Sequence, residues 1–211
     1  MKLIWHGHSC FELITSDGSV VFDPYSPGSV RGLKLPKLHA DAVICSHGHG
    51  DHNYAAGVLL TGEQPRFSVR QLKTYHDGKK GALRGDNLCS VIDAEGLSIA
   101  HLGDLGHVLT PEQAAWFGHI DLLMIPVGGY YTICANQAKE VAQQIDADII
   151  VPMHYSDEKA KTGLPEVAPV DDFLRLWEPD MTVYLNSNEY DVHPSNERRV
   201  VVFAPDKSAV L

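Results

Sequence analysis

Residues 47–52 carry four side chains able to bind a metal: His47, His49, Asp51 and His52. They directly follow the short apolar run Asp41-Ala42-Val43-Ile44-Cys45 and Ser46, and Gly48 and Gly50 separate them. An apolar run that ends in so polar a loop reads as a strand opening into a site beyond its end. Glycine allows the tight backbone path that bulky imidazoles need between them. Alternate side chains of an extended or turning segment share a side, so His47 and His49 converge on one ion, while Asp51 and His52 face a neighbouring volume. Imidazole and carboxylate donors suit zinc, manganese or iron and not a soft thiolate site. The bland alternative, chance histidines on a solvated loop, sits poorly with such density.

Two more runs share that grammar of carboxylate, continuous apolar stretch and polar or glycine-rich loop. They are Asp121-Leu122-Leu123-Met124-Ile125 before Pro126-Val127-Gly128-Gly129, and Asp148-Ile149-Ile150-Val151 before Pro152-Met153-His154. Continuous apolar runs suit strands covered on both faces. Ala138, Val141, Ala142 and Ile145 keep helical spacing. Thr110-Pro111 reads as an N-cap with proline at the first helical position, and a further short helix is expected over 170–177. Hairpins are expected between 10–15 and 19–22, between 89–92 and 97–100, and between 181–185 and 199–203. The pattern predicts a mixed α/β sandwich, with residues 1–211 as one domain.

The HxHxDH run resembles the signature of the metallo-β-lactamase superfamily, whose fold is an αββα sandwich, and the resemblance extends over nearly the whole chain. Asp23 in Phe22-Asp23-Pro24 matches the early aspartate that buttresses the metal loop. His76 in Tyr75-His76-Asp77 stands where a third histidine is expected. Asp104 in Leu102-Gly103-Asp104 matches the bridging aspartate, and His154 matches the final histidine. The resemblance implies His47, His49 and His76 on one ion, Asp51, His52 and His154 on the other, and Asp104 between them. Three nitrogens and a shared oxygen would make a four-coordinate site with one solvent position. Gly7-His8-Ser9 and Pro126-Val127-Gly128-Gly129 resemble more specifically the branch that includes L-ascorbate-6-phosphate lactonase.

The implied activity is a metal-dependent hydrolase. A metal-bridged hydroxide would attack a small ester, lactone, amide or phosphoester. Two divalent ions are expected, zinc first, with manganese and iron also compatible. Asp51 would orient the nucleophile or carry its proton. His8 and Tyr130 are candidate substrate contacts, and His101 is a candidate partner for a ligating group. The alternatives are a small-molecule or nucleic-acid phosphodiesterase on the same fold, a non-catalytic metal-binding regulatory protein, and a single-iron redox centre. No trusted Ser-His-Asp or Cys-His order is present, and Gly7-His8-Ser9 is not a GxSxG elbow.

A formal charge of −10 opposes a phosphate backbone as the main partner and leaves a small molecule as the expected one. No segment approaches the roughly 20 apolar residues of a membrane helix, and the first residues lack a secretory h-region. The expected location is therefore the cytoplasm. Cys10, Cys45, Cys89 and Cys134 form no CxxC pair and read as reduced, buried thiols. Substrate choice is expected to reside in the loops over 25–39, 108–111 and 155–169. Oligomeric state is not legible.

Overall fold

The computed structural model describes residues 1–206 and 209–211. The chain opens with three antiparallel strands, β1 (Lys2–Trp5), β2 (Phe11–Thr15) and β3 (Gly18–Phe22). Thr15 Oγ1 closes the second turn, accepting from Asp17 N at 3.0 Å and donating to Gly18 O at 2.8 Å. Then come β4 (Leu38–Ala40), β5 (Ala42–Ile44), β6 (Val58–Leu60), β7 (Ser68–Tyr75), β8 (Asp86–Ala94) and β9 (Leu97–His101). The second half alternates α1 (Pro111–Phe117), β10 (Leu122–Pro126), α2 (Ala135–Ile145), β11 (Ile149–Met153) and α3 (Asp171–Leu174). It ends with β12 (Thr182–Tyr184), β13 (Glu189–Asp191) and β14 (Arg199–Val202).

Two sheets result, ordered β13-β1-β2-β3-β5 and β12-β14-β11-β10-β9-β8-β7, with β4 and β6 as a small separate pair. Side chains alternate across a strand, and this explains the continuous apolar runs. Leu122, Met124, Ile149, Val151 and Val201 face inward onto Leu3, Leu13, Val20 and Phe22 of the other sheet. Leu123, Ile125, Ile150 and Val200 turn outward and meet Phe117, Val141, Ile145 and Phe173 of the helices. Thr110 and Gln113 start α1 with a reciprocal capping box ahead of its proline. On the far side, Cys10 and Val21 pack beneath Tyr25, Val30, Leu33 and Leu38. This is the mixed α/β sandwich that the sequence implied. No described helix is long and apolar enough to cross a membrane.

Four expectations need correction. Residues 181–185 and 199–203 do not form a hairpin: β12 and β14 run parallel, because the chain between them leaves for the other sheet, where β13 pairs with β1. Strand β5 is covered only in part: Ala42 and Ile44 pack against the core between the sheets and Val43 against the cluster on the far side, but all three stay half-buried at the edge beyond β3. The helix expected over 170–177 is confined to Asp171–Leu174, although Trp177 beyond it is still buried. Cys10 and Cys89 are buried thiols, but Cys45 is half-buried and Cys134 is exposed at the N-cap of α2.

Candidate metal centre

The buried Asp104 follows β9, and its carboxylate approaches four imidazoles. Its Oδ1 lies 3.2 Å from His52 Nε2. Its Oδ2 lies 3.3 Å from His154 Nε2, 3.4 Å from His76 Nε2 and 3.9 Å from His47 Nε2. These groups come from the ends of β5, β7, β9 and β11, so one end of the sandwich gathers residues that are far apart in sequence. Two neighbouring sets of donor atoms form there. His47, His49 and His76 make one; His8, Asp51, His52 and His154 make the other; within each, the atoms lie within 4.8 Å of one another. All seven residues expected to hold metal are thus brought together.

The orphaned atoms test whether a cation fits. His47 Nε2, His52 Nε2, His154 Nε2 and Asp104 Oδ1 are buried and have no hydrogen-bond partner within the protein. An unsatisfied buried polar atom costs about 1–3 kcal/mol. Several such atoms converging on one point are satisfied together by a cation, and the nitrogen–oxygen set suits a divalent one.

Asp23 sets the orientation of the metal loop. Its Oδ1 accepts from Ser46 N at 2.7 Å; its Oδ2 accepts from Ser46 Oγ at 2.6 Å and faces His52 Nδ1 at 2.7 Å. Ser46 spends its single hydroxyl proton on Asp23, so its contact with His47 Nδ1 at 2.9 Å is an N–H donated to Oγ. One carboxylate therefore directs the Nδ1 protons of both His47 and His52 away from the centre and leaves both Nε2 atoms aimed at it.

Charge is strongly coupled here. Burial opposes a charged His52, yet Asp104 and Asp23 outweigh it and hold the imidazole well above its ordinary range. Burial and the neighbouring His52 push His47 down to about 4. Burial and His154 bring His8 to about 4. Burial also opposes the charge of Asp104, but His154 and His52 overcome it and hold that carboxyl well below the usual range.

Several functional supports were not visible in the sequence. Asn87 on β8 is buried; its Oδ1 accepts from Asp104 N at 2.8 Å, and its Nδ2 donates to Thr74 Oγ1 and Leu102 O, both at 2.9 Å. Asn87→Ala should cost about 1–3 kcal/mol, since it strands the buried Asp104 N–H and leaves the Leu102 carbonyl only the weak Cys89 thiol as donor. Urea unfolding measures this, and a loss below about 0.5 kcal/mol would show that the bonds are replaced. Asp77, next to His76, accepts four backbone N–H bonds, from Lys79, Gly81, Leu83 and Arg84, at 2.7–3.0 Å. Gly106 lies against this segment: a Cβ there would meet Asp77 N at 2.2 Å. His8, Asp23 and His154 all adopt positive φ (53°, 42° and 54°), an uncommon geometry for residues other than glycine.

Other polar side chains near the centre take different partners. His101 reaches no ligating group; its Nε2 meets Ser9 O at 2.9 Å, its Nδ1 accepts from Gly103 N at 3.1 Å, and its ring stacks on Phe22. His107 is engaged with Val108 O and Tyr75 N. A cleft of about 440 Å³ opens over His49, Asp51, His76 and Asp104. Tyr131 lines it, whereas Tyr130 is 64% exposed and stands outside the lining. His8 is buried beneath, its Nε2 3.4 Å from Asp51 Oδ2 and its ring 4.2 Å from that of His154.

Comparison with known proteins agrees with this geometry. Residues 2–154 match the family described as the beta-lactamase superfamily domain. A UPF0173 metal-dependent hydrolase of Thermoplasma acidophilum is 28% identical over 189 residues, covering 74% of this chain and 84% of its own length. Its counterpart in Thermococcus onnurineus is 26% identical over 211 residues, covering 83% and 92%. The crystal structure of a candidate zinc-dependent hydrolase of the metallo-β-lactamase superfamily from Thermotoga maritima superposes with a TM-score of 0.78. It is 36% identical, with 97% of this chain and 99% of that one covered.

Proposed function

The chain belongs to the β-lactamase superfamily and is a metal-dependent hydrolase, and from that premise we propose that it cleaves a small ester, lactone, amide or phosphoester at a two-cation centre. His47, His49 and His76 would hold one cation, Asp51, His52 and His154 the other, with Asp104 between them. Zinc is the first expectation, and the same donors accept manganese or iron. Divalent cations supply an acidified water and a charge that polarises the bond under attack. The observation that carries this reading is the convergence of orphaned imidazole and carboxylate atoms around Asp104.

The protein's own residues divide the remaining work. Asp51 is the more exposed of the two acids that line the cleft, its side chain 18% exposed against 2% for Asp104. From there it can orient a water and take its proton. His8, 3.4 Å behind Asp51, is kept neutral near pH 7 by burial and the neighbouring His154, and is placed to steady the carboxylate. The cleft volume suits a small molecule. The net charge of −10 disfavours a long nucleic acid. Four free cysteines fit work in a reducing cytoplasm.

The test begins with element-specific metal analysis and a screen of ester, lactone and phosphodiester substrates. Asp51→Asn should lower kcat by about 100- to 10,000-fold, as expected for a lost proton carrier, and His49→Ala should lower both metal content and turnover. Full activity in either variant would refute the assignment.

A further inference from the structure

Among the described residues that line the cleft, Arg84 is the one lysine or arginine. It is half-buried. Arg66, Arg70, Arg175, Arg198 and Arg199 all pair with carboxylates. Arg84 is held differently: its Nη2 donates to Tyr130 O at 3.2 Å, and its guanidinium lies 5.5 Å over the Tyr131 ring. A guanidinium has five N–H donors, and these contacts use one.

The backbone is braced as well. Arg84 N donates to Asp77 Oδ2 at 2.8 Å, and the same carboxylate gathers the N–H groups of Lys79, Gly81 and Leu83. Asp77 directly follows His76. One carboxylate thus ties the segment that presents Arg84 to the segment that presents a candidate ligand. A fork of donors fixed at a set distance from the reacting centre is pre-organised, so little side-chain entropy is lost on binding. A purely structural arginine would not need to line the cleft, and an exposed steering charge would not need this bracing.

We propose that Arg84 binds an anionic group, carboxylate or phosphate, on a part of the substrate remote from the scissile bond, which makes the natural substrate a small anionic ester or lactone. This rests on the hydrolytic reading above. It also gives Tyr130 a role through its backbone carbonyl, which anchors the arginine.

The experiment compares p-nitrophenyl acetate with mono-p-nitrophenyl succinate on wild type, Arg84→Met and Arg84→Lys, after metal restoration. The preference for the anionic over the neutral ester should fall about 10- to 100-fold in Arg84→Met, mostly through KM, and recover in part in Arg84→Lys. Equal losses on both esters, or none on the succinate, overturn the proposal. Glycerate and glycerol phosphate as inhibitors rank carboxylate against phosphate. If wild type turns over neither ester nor any screened substrate, the hydrolytic reading fails. Calorimetric binding of succinate to wild type and Arg84→Met then decides the matter separately: tighter binding by wild type supports the anion site, and equal binding overturns it.

Discussion

Asp104→Ala should reduce turnover by at least about a thousandfold while leaving the sandwich folded. Among the described residues, Asp104 is the one carboxylate that contacts imidazoles of both donor sets, at 3.2 Å from His52, 3.3 Å from His154, 3.4 Å from His76 and 3.9 Å from His47. Without it, two cations held largely by neutral imidazoles would lose the negative charge between them. The interactions of a metal at a reacting centre are worth several kcal/mol, and about 4 kcal/mol corresponds to a thousandfold in rate. The core between the sheets does not depend on this residue, so circular dichroism should stay native. Metal content, measured by mass spectrometry on the same sample, should fall in parallel. Asp104→Asn keeps the shape without the charge and should lie between. A variant with full metal content and kcat/KM within about tenfold of wild type would remove Asp104 from the centre.

How much of this was legible depends on how local each feature is. The loop from His47 to His52 stands out because its donors are packed into one segment. Asp104, His76 and His154 carry no comparable local signal; resemblance to a family pointed to them, and the sandwich then brought them together. The runs at Leu122–Pro126 and Ile149–Met153 were readable because both faces of those strands are covered. The last pair was misread because two apolar runs with polar residues between them look alike whether the chain turns back or visits another sheet. Here it visits β1 through β13. Asn87 and Arg84 were invisible for a related reason: their partners, backbone groups among them, lie on distant segments, and no residue pattern encodes those. Gly103 and Gly106 offered one usable hint. Glycines flank Asp104 closely, and a Cβ at Gly103, where φ is +55°, would meet Ser46 and Asn87 at 2.4 Å.

Asp23→Asn should weaken metal binding about 10- to 100-fold, the usual cost of losing a group that orients a metal ligand, although Asp23 faces the metal loop and not the cleft. The Asp23 carboxylate only accepts: it takes Ser46 N, Ser46 Oγ and His52 Nδ1–H. Asparagine can still accept from Ser46 N through its oxygen, but its amide N–H groups then face two donors. His52 can relieve that clash by moving its proton to Nε2, the atom needed for the metal. Isothermal titration with zinc reads the affinity. The metal-free protein supplies a second readout whose sign follows from the charges. His52 and Ser46 hold the Asp23 carboxyl below its usual range against the effect of burial. Its contribution to stability is therefore present above its unfolded value of about 3.9 and is lost as pH falls through the lower folded value. His52 is held above its usual range against burial, by Asp104 and Asp23. Its contribution is full below about 6.5 and is lost as pH rises through the higher folded value. The stability gap between wild type and Asp23→Asn should thus be widest between about pH 4 and 6.5 and narrow on both sides. A gap independent of pH would mean that the substitution acts through packing, and unchanged zinc affinity would mean that the tautomer of His52 is set by something other than Asp23.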